Sequence, residues 1–201
     1  MSWTAYAQEM LPAIQFLYQQ TGLPAWLTLA MAAHEELTLS GHVASDSTFV
    51  SDNNPWGVRC HTSSYPCSPD DFQVYPSLMA AAQDLINALG PQRLQYAADP
   101  AAFMNNLQAT GWDGPPPESD GYADSVLYTY GPMAKQALRA IGVDPTTGAT
   151  VTQTGTGQGN EATSESIASS AIAISGAAAL LFGAAVAAIA LGTWEIAQAE
   201  R

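Results

Sequence analysis

One stretch of this sequence carries no charge at all: residues 166–194, SIASSAIAISGAAALLFGAAVAAIALGTW. As a helix rising about 1.5 Å per residue, it exceeds a hydrocarbon core of roughly 30 Å. It follows residues 144–165, DPTTGATVTQTGTGQGNEATSE, which hold almost no large apolar side chains and read as a flexible linker. A lone uncharged helix behind a linker has no partner core to enter. The expectation is therefore a transmembrane helix over 166–194 rather than a buried Ala-rich core helix. Ala179, Gly183 and Ala187 are spaced for close helix–helix approach, and so for self-association of that helix. Residues 1–143, rich in aromatic side chains, form the expected globular domain.

Charge then narrows the partners. Five Lys+Arg against 18 Asp+Glu give a net charge of −13. That balance excludes nucleic-acid binding by phosphate neutralisation, and a polybasic membrane anchor with it. With 47% hydrophobic residues, disorder throughout is excluded as well. Two cysteines cannot make a four-thiolate zinc site, and three histidines leave little for any other metal. Residues 1–30 lack the basic start of a secretory signal, and Pro12 and Pro24 interrupt their apolar stretch.

Helical patterning dominates residues 1–143. The spacing predicts a helix from Trp3 to Gln20 and a second from Pro24 to near Leu39. A third, capped by Ser77, stops at Gly90-Pro91, and a fourth runs from Asp99-Pro100 to Gly111. A last pair covers Tyr122–Tyr130 and Pro132–Ile141, broken at Gly131-Pro132. Strand character is confined to Trp56–Tyr75, where Phe72 and Val74 alternate. The fold class is thus α+β, mostly helical, with a small β-hairpin lobe.

The second helix ends in Ala32-Ala33-His34-Glu35-Glu36. Leu27, Met31 and Glu35 follow one another along the edge of its apolar face, and Glu36 turns about 100° further toward solvent. Glu35 is thereby placed where apolar surroundings and the negative end of the helix dipole would favour a neutral carboxyl, the form a general acid toward a glycosidic oxygen needs, an ordinary solvated helix-end carboxylate being the alternative that the geometry leaves open. His34-Glu35 also opens a zinc-protease motif, but Thr38 stands where its second histidine belongs, so no metal role follows. Cys60 and Cys67 bracket HTSSYP at a separation suited to a disulfide closing a hairpin, two buried thiols being the alternative.

Helix two together with Ser51-Asp52-Asn53-Asn54-Pro55-Trp56-Gly57-Val58-Arg59 resembles glycoside hydrolase family 73. In that pattern a helix ends in a catalytic Glu, and a loop leads to Asn-Asn-Leu-aromatic-Gly-Ile-Lys, with Pro55 here at the leucine position. Tyr75-Pro76-Ser77 resembles the family's Tyr-x-Ser, and Gly111-Trp112 and Gly121-Tyr122-Ala123 its closing segments, so the likeness spans about residues 10–140. Two departures stand out. Glu36-Leu37-Thr38 replaces the family's Ser-Gly-Trp-Gly, and the second carboxylate of the β lobe falls nearest to Asp70 and Asp71.

The resemblance implies a lysozyme-like domain that cleaves the β-1,4 glycan of peptidoglycan, after N-acetylglucosamine, without a cofactor. Glu35 would protonate the leaving oxygen. Asp70 or Asp71 would act as base or electrostatic stabiliser, and Tyr122 would line the cleft. Asn54, Trp56 and Trp112 are the expected substrate-binding residues, the two tryptophans by stacking on sugar faces, with a place in the core as the alternative for each. A lytic transglycosylase on the same scaffold is the nearest alternative, since it needs only one Glu. A non-catalytic, membrane-anchored glycan-binding or structural protein is the alternative from another class. An apolar anchor near the C-terminus without a signal peptide would leave the domain on the wrong side of its membrane. The expectation is therefore a phage virion component, anchored in a virion membrane or packed in an entry device, that opens the wall during genome delivery.

Overall fold

The computed structural model describes residues 1–37, 51–62, 64–112 and 121–151, all within one compact unit, Met1–Thr154. The helices are α1 (Trp3–Thr21), α2 (Ala25–Glu36), α3 (Leu78–Leu94), α4 (Pro100–Ala109), α5 (Tyr122–Asp124) and α6 (Gly131–Ala140), with a π-helical stretch at Ser125–Tyr130 between the last two. The 166–194 segment lies outside the described residues. Among the described residues, no helix is long and apolar enough to cross a membrane.

Local chemistry sets the helix ends. Ser2 caps α1 by accepting from the Ala5 N–H (3.2 Å), and Gly22 closes it in the left-handed region (φ 75°). Ser77 and Asp99 cap α3 and α4 in the same way, with Pro100 preset for the first helical turn. Gly90, at φ 66°, breaks the helical path of α3 as expected, but the helix resumes and runs to Leu94. The expected break at Gly131-Pro132 is absent: the π-helical stretch leads directly into α6. Gly131 is there for close approach, because a Cβ on it would stand 2.9 Å from the Trp26 ring.

Helix α2 is the axis of the fold. Every residue from Ala25 to Ala33 is buried, and α1, α6 and the π-helical stretch pack around it. A helix apolar on all sides belongs in a core rather than at a surface. Its N-terminus has Pro24 as cap and no side chain to satisfy its first N–H groups. The chain after α6 does that work. Ala25 N–H donates to Thr146 O and Trp26 N–H to Pro145 O, both at 2.8 Å.

That contact corrects the expected linker boundary. Residues 144–151 are a docked turn: Asp144 N–H donates to Ala149 O (2.8 Å), Gln15 Nε2 to Gly148 O (2.6 Å), and Val143 pairs with Thr150. Hydrogen bonds from Thr147 hold the Asp144 carboxyl below the usual carboxylate range. The segment is polar because its task is carried by backbone carbonyls, so composition could not distinguish it from a linker.

The β lobe is small. Antiparallel bridges join Arg59 to Phe72 and Cys67 to Gln73, so residues 72–74 run between two short partners. Cys60 N–H donates to Asp71 O (3.0 Å) and Val74 N–H to Pro66 O (2.9 Å). Cys60 and Cys67 form the disulfide across this loop, with Cα atoms 5.9 Å apart. Closing so short a loop constrains the unfolded chain by about 2 kcal/mol. Reduction should add about 2 Da and lower the melting temperature. Two native thiols alkylated without reductant would contradict the bond.

Candidate active site

At the C-terminal end of α2 the sequence leaves the core, and His34 and Glu35 emerge there with side chains 24% and 25% exposed. Glu36 points the other way and is 2% exposed. This reverses the expected orientation. Helical periodicity marks an apolar edge only on a helix with one solvent side, whereas α2 is buried from Ala25 to Ala33 and meets solvent at its last turn. Glu35 remains the carboxyl that reaches open space. Glu36 lies near buried Tyr6, whose phenol is pushed well above its usual range by desolvation and then by the Glu36 charge.

Two neighbours place Glu35. Its Oε1 lies 3.7 Å from His34 Nδ1. Its Oε2 faces Gly57, where a Cβ would stand 3.4 Å away. The Tyr130 phenol is raised first by burial and then by the Glu35 charge. Tyr130 donates to Leu37 O (3.1 Å), which ties the end of α2 to the π-helical stretch. The His34 ring packs edge-on against Tyr122 (5.0 Å) and Tyr130 (5.3 Å). Tyr122, expected to line the cleft, is 3% exposed and packs against His34 instead of facing open space.

The loop opposite Glu35 is pinned from inside. Asn54 is 0% exposed; its amide donates to Val58 O (2.9 Å) and Gln73 O (3.0 Å), and its Oδ1 accepts from Val58 N–H (2.9 Å). Trp56 is 1% exposed and donates from its indole to Thr28 O on α2 (2.9 Å). Both were expected to meet substrate, and both are instead structural: no face of either ring or amide is open to a sugar. Together they seat Gly57 against Glu35. Gly57 has φ 58°, a conformation that costs an L residue about 1–2 kcal/mol. Gly57→Ala should lower the melting temperature by roughly 2–8 °C. An unchanged melt would show that the loop tolerates a side chain here.

Gly57 also lines a cleft of about 300 Å³, with Arg59, His61, Asn87, Arg93 and Trp112 around it. Trp112 is half-buried, and its ring carries the Arg93 guanidinium at 5.9 Å. Of the residues expected to meet substrate, Asn54 and Trp56 are buried and Trp112 borders the cleft. Asp70 and Asp71 are exposed turn residues. Asp71 takes a left-handed backbone (φ 68°), which Asp tolerates, and Asp70 offers its carbonyl to Arg59 (3.3 Å). A buried carboxylate that the motif reading missed, Asp84, accepts from the Tyr75 hydroxyl (2.8 Å) and lies 3.5 Å from His61 Nε2. Burial and that bond push the Tyr75 phenol upward. Among the described residues, no group of three His, Cys, Asp or Glu is placed to hold a metal ion.

A mostly helical domain with a small β lobe, whose helix-end Glu35 faces Gly57 of the cleft, has a lysozyme-like architecture. The solved structures agree. The chain is similar to a peptidoglycan hydrolase from Sphingomonas sp. A1 (TM-score 0.51, 22% identity, covering 68% of this chain and 94% of that one). A mutant of the same hydrolase gives a TM-score of 0.53 at 21% identity, covering 68% of this chain and 96% of that one. No protein-family model matches the sequence, and no curated protein matches it.

Proposed function

We propose that this protein is a peptidoglycan hydrolase that cleaves the β-1,4 glycan backbone, of the endo-β-N-acetylglucosaminidase type. The observation that carries the reading is Glu35 at the solvent end of α2, facing Gly57, a residue that lines the cleft, on a fold shared with peptidoglycan hydrolases. Glu35 protonates the departing glycosidic oxygen, so that the sugar leaves as a neutral alcohol rather than as an alkoxide. Asp70 or Asp71 is the proposed second carboxylate, acting on water or on the oxocarbenium charge. Trp112 stacks on a sugar ring, and Tyr122 holds His34 beside Glu35.

A second reading, a lytic transglycosylase, is favoured by the exposed turn position of Asp70 and Asp71, since one carboxyl suffices when the sugar's own hydroxyl closes the ring. Mass spectrometry of fragments separates the two. Free reducing ends support hydrolysis; 1,6-anhydro ends support the transglycosylase.

The domain is proposed to act from a membrane anchor at residues 166–194, with that segment also pairing with its own copies, in a phage virion. The support is the uncharged run itself, following a polar segment. The test is partition of a residue 166–201 peptide into liposomes and recovery of the chain from virions by detergent. A peptide left in solution would remove the anchor from the proposal.

A further inference from the structure

The protein carries only four arginines and one lysine against 18 acidic side chains, yet two of those arginines, Arg59 and Arg93, line the cleft that Gly57 opens beside Glu35. Neither is spent on a carboxylate: among the described residues, the ion pairs at carboxylates are those of His34 and His61. Both guanidinium groups are nevertheless held in place. Arg59 stacks over Phe72 at 4.2 Å and donates once, to Asp70 O. Arg93 donates to Thr110 Oγ1 (3.0 Å) and to the carbonyls of Ala88 (3.2 Å) and Leu89 (3.4 Å), with Trp112 beneath it. A guanidinium has five N–H donors, so each keeps donors for a ligand, already oriented.

Long-range repulsion from a net charge of −13 works against any polyanionic substrate. A pair of oriented guanidinium groups in the cleft offsets this locally, and the fork geometry selects carboxylates. Arg59 lies two residues from Gly57, a span of at most about 7 Å, so a ligand arm on a sugar near the scissile bond comes within its reach. On the reading of the site as a glycan-cleaving one, we infer that Arg59 and Arg93 form a subsite for the carboxylates of the stem peptide that hangs from the glycan, and that this enzyme prefers peptide-bearing strands to bare ones.

The experiment compares kcat/KM on soluble peptidoglycan strands with the same strands stripped of peptides by an amidase. The wild-type protein should favour peptide-bearing strands by about tenfold or more, the effect of a charge-assisted hydrogen bond. Arg59→Gln, on an exposed side chain, should bring that ratio toward one through KM, and Arg59→Lys should restore part of it. Arg93→Gln should act in the same direction, with its melting temperature recorded because Arg93 also ties α3 to Thr110. Equal rates on the two substrates, or a ratio that Arg59→Gln leaves unmoved, would overturn the inference while leaving glycan cleavage intact. Cleavage of neither substrate would instead defeat the functional reading, and the subsite with it.

Discussion

Glu35→Gln should abolish clearing of bacterial cell walls in a zymogram while leaving the protein folded. Removing a general acid costs roughly 10²–10⁴ in rate. The cost to folding is small for a partly exposed side chain whose nearest polar neighbour is His34 at 3.7 Å. Glu36→Gln is the matched control. Its carboxyl is buried on the Tyr6 side of α2, so its loss should appear in the melting temperature, with activity falling less than several-fold in protein that remains folded. The account would be wrong if the two variants ranked in the opposite order for activity.

The largest effect on stability is expected from Asn54→Ala. Three hydrogen bonds are lost at once, and the Val58 N–H and the Gln73 carbonyl lose the partner that Asn54 supplies in a buried loop. Leaving a buried backbone group unsatisfied costs about 1–3 kcal/mol, so about 3 kcal/mol is expected in all. For a chain of this length that is a fall of roughly 6–12 °C in melting temperature. Because the same loop seats Gly57 against Glu35, residual activity below the melt should fall too. Thermal denaturation followed by circular dichroism measures the first effect. A shift under about 2 °C would mean that water or a rearranged loop replaces the amide.

Much of the fold was legible in local chemistry. Ser77 and Asp99 announce helix starts by their capping oxygens, and the structure uses both of them so. The short Cys60–Cys67 separation announces the closed loop. Asn53-Asn54-Pro55-Trp56-Gly57 announces a special loop, but the sequence does not say which side of it faces substrate. Asn and Trp are equally at home binding sugars and satisfying a buried turn, and only the packing of Trp56 onto Thr28 decides the matter.

The errors share a physical origin. Periodicity locates an apolar face only when a helix has one solvent side; α2 has none, so Glu35 and Glu36 exchanged roles in burial. Polarity marks a linker only when the polar groups face water, and in residues 145–146 the carbonyls cap α2 instead. Tyr130 and Asp84 carry no local signal, because their relation to Glu35 and His61 arises across elements distant in sequence.

The central claim is that Glu35 drives cleavage of the glycan backbone rather than of the peptides attached to it. The most direct measurement is end-group analysis of purified peptidoglycan after digestion, counting new sugar ends against new amino groups. The account predicts new sugar ends, reducing or anhydro, from the wild-type protein, no new amino groups, and neither from Glu35→Gln. New amino groups without sugar ends, or sugar ends undiminished in Glu35→Gln, would contradict it.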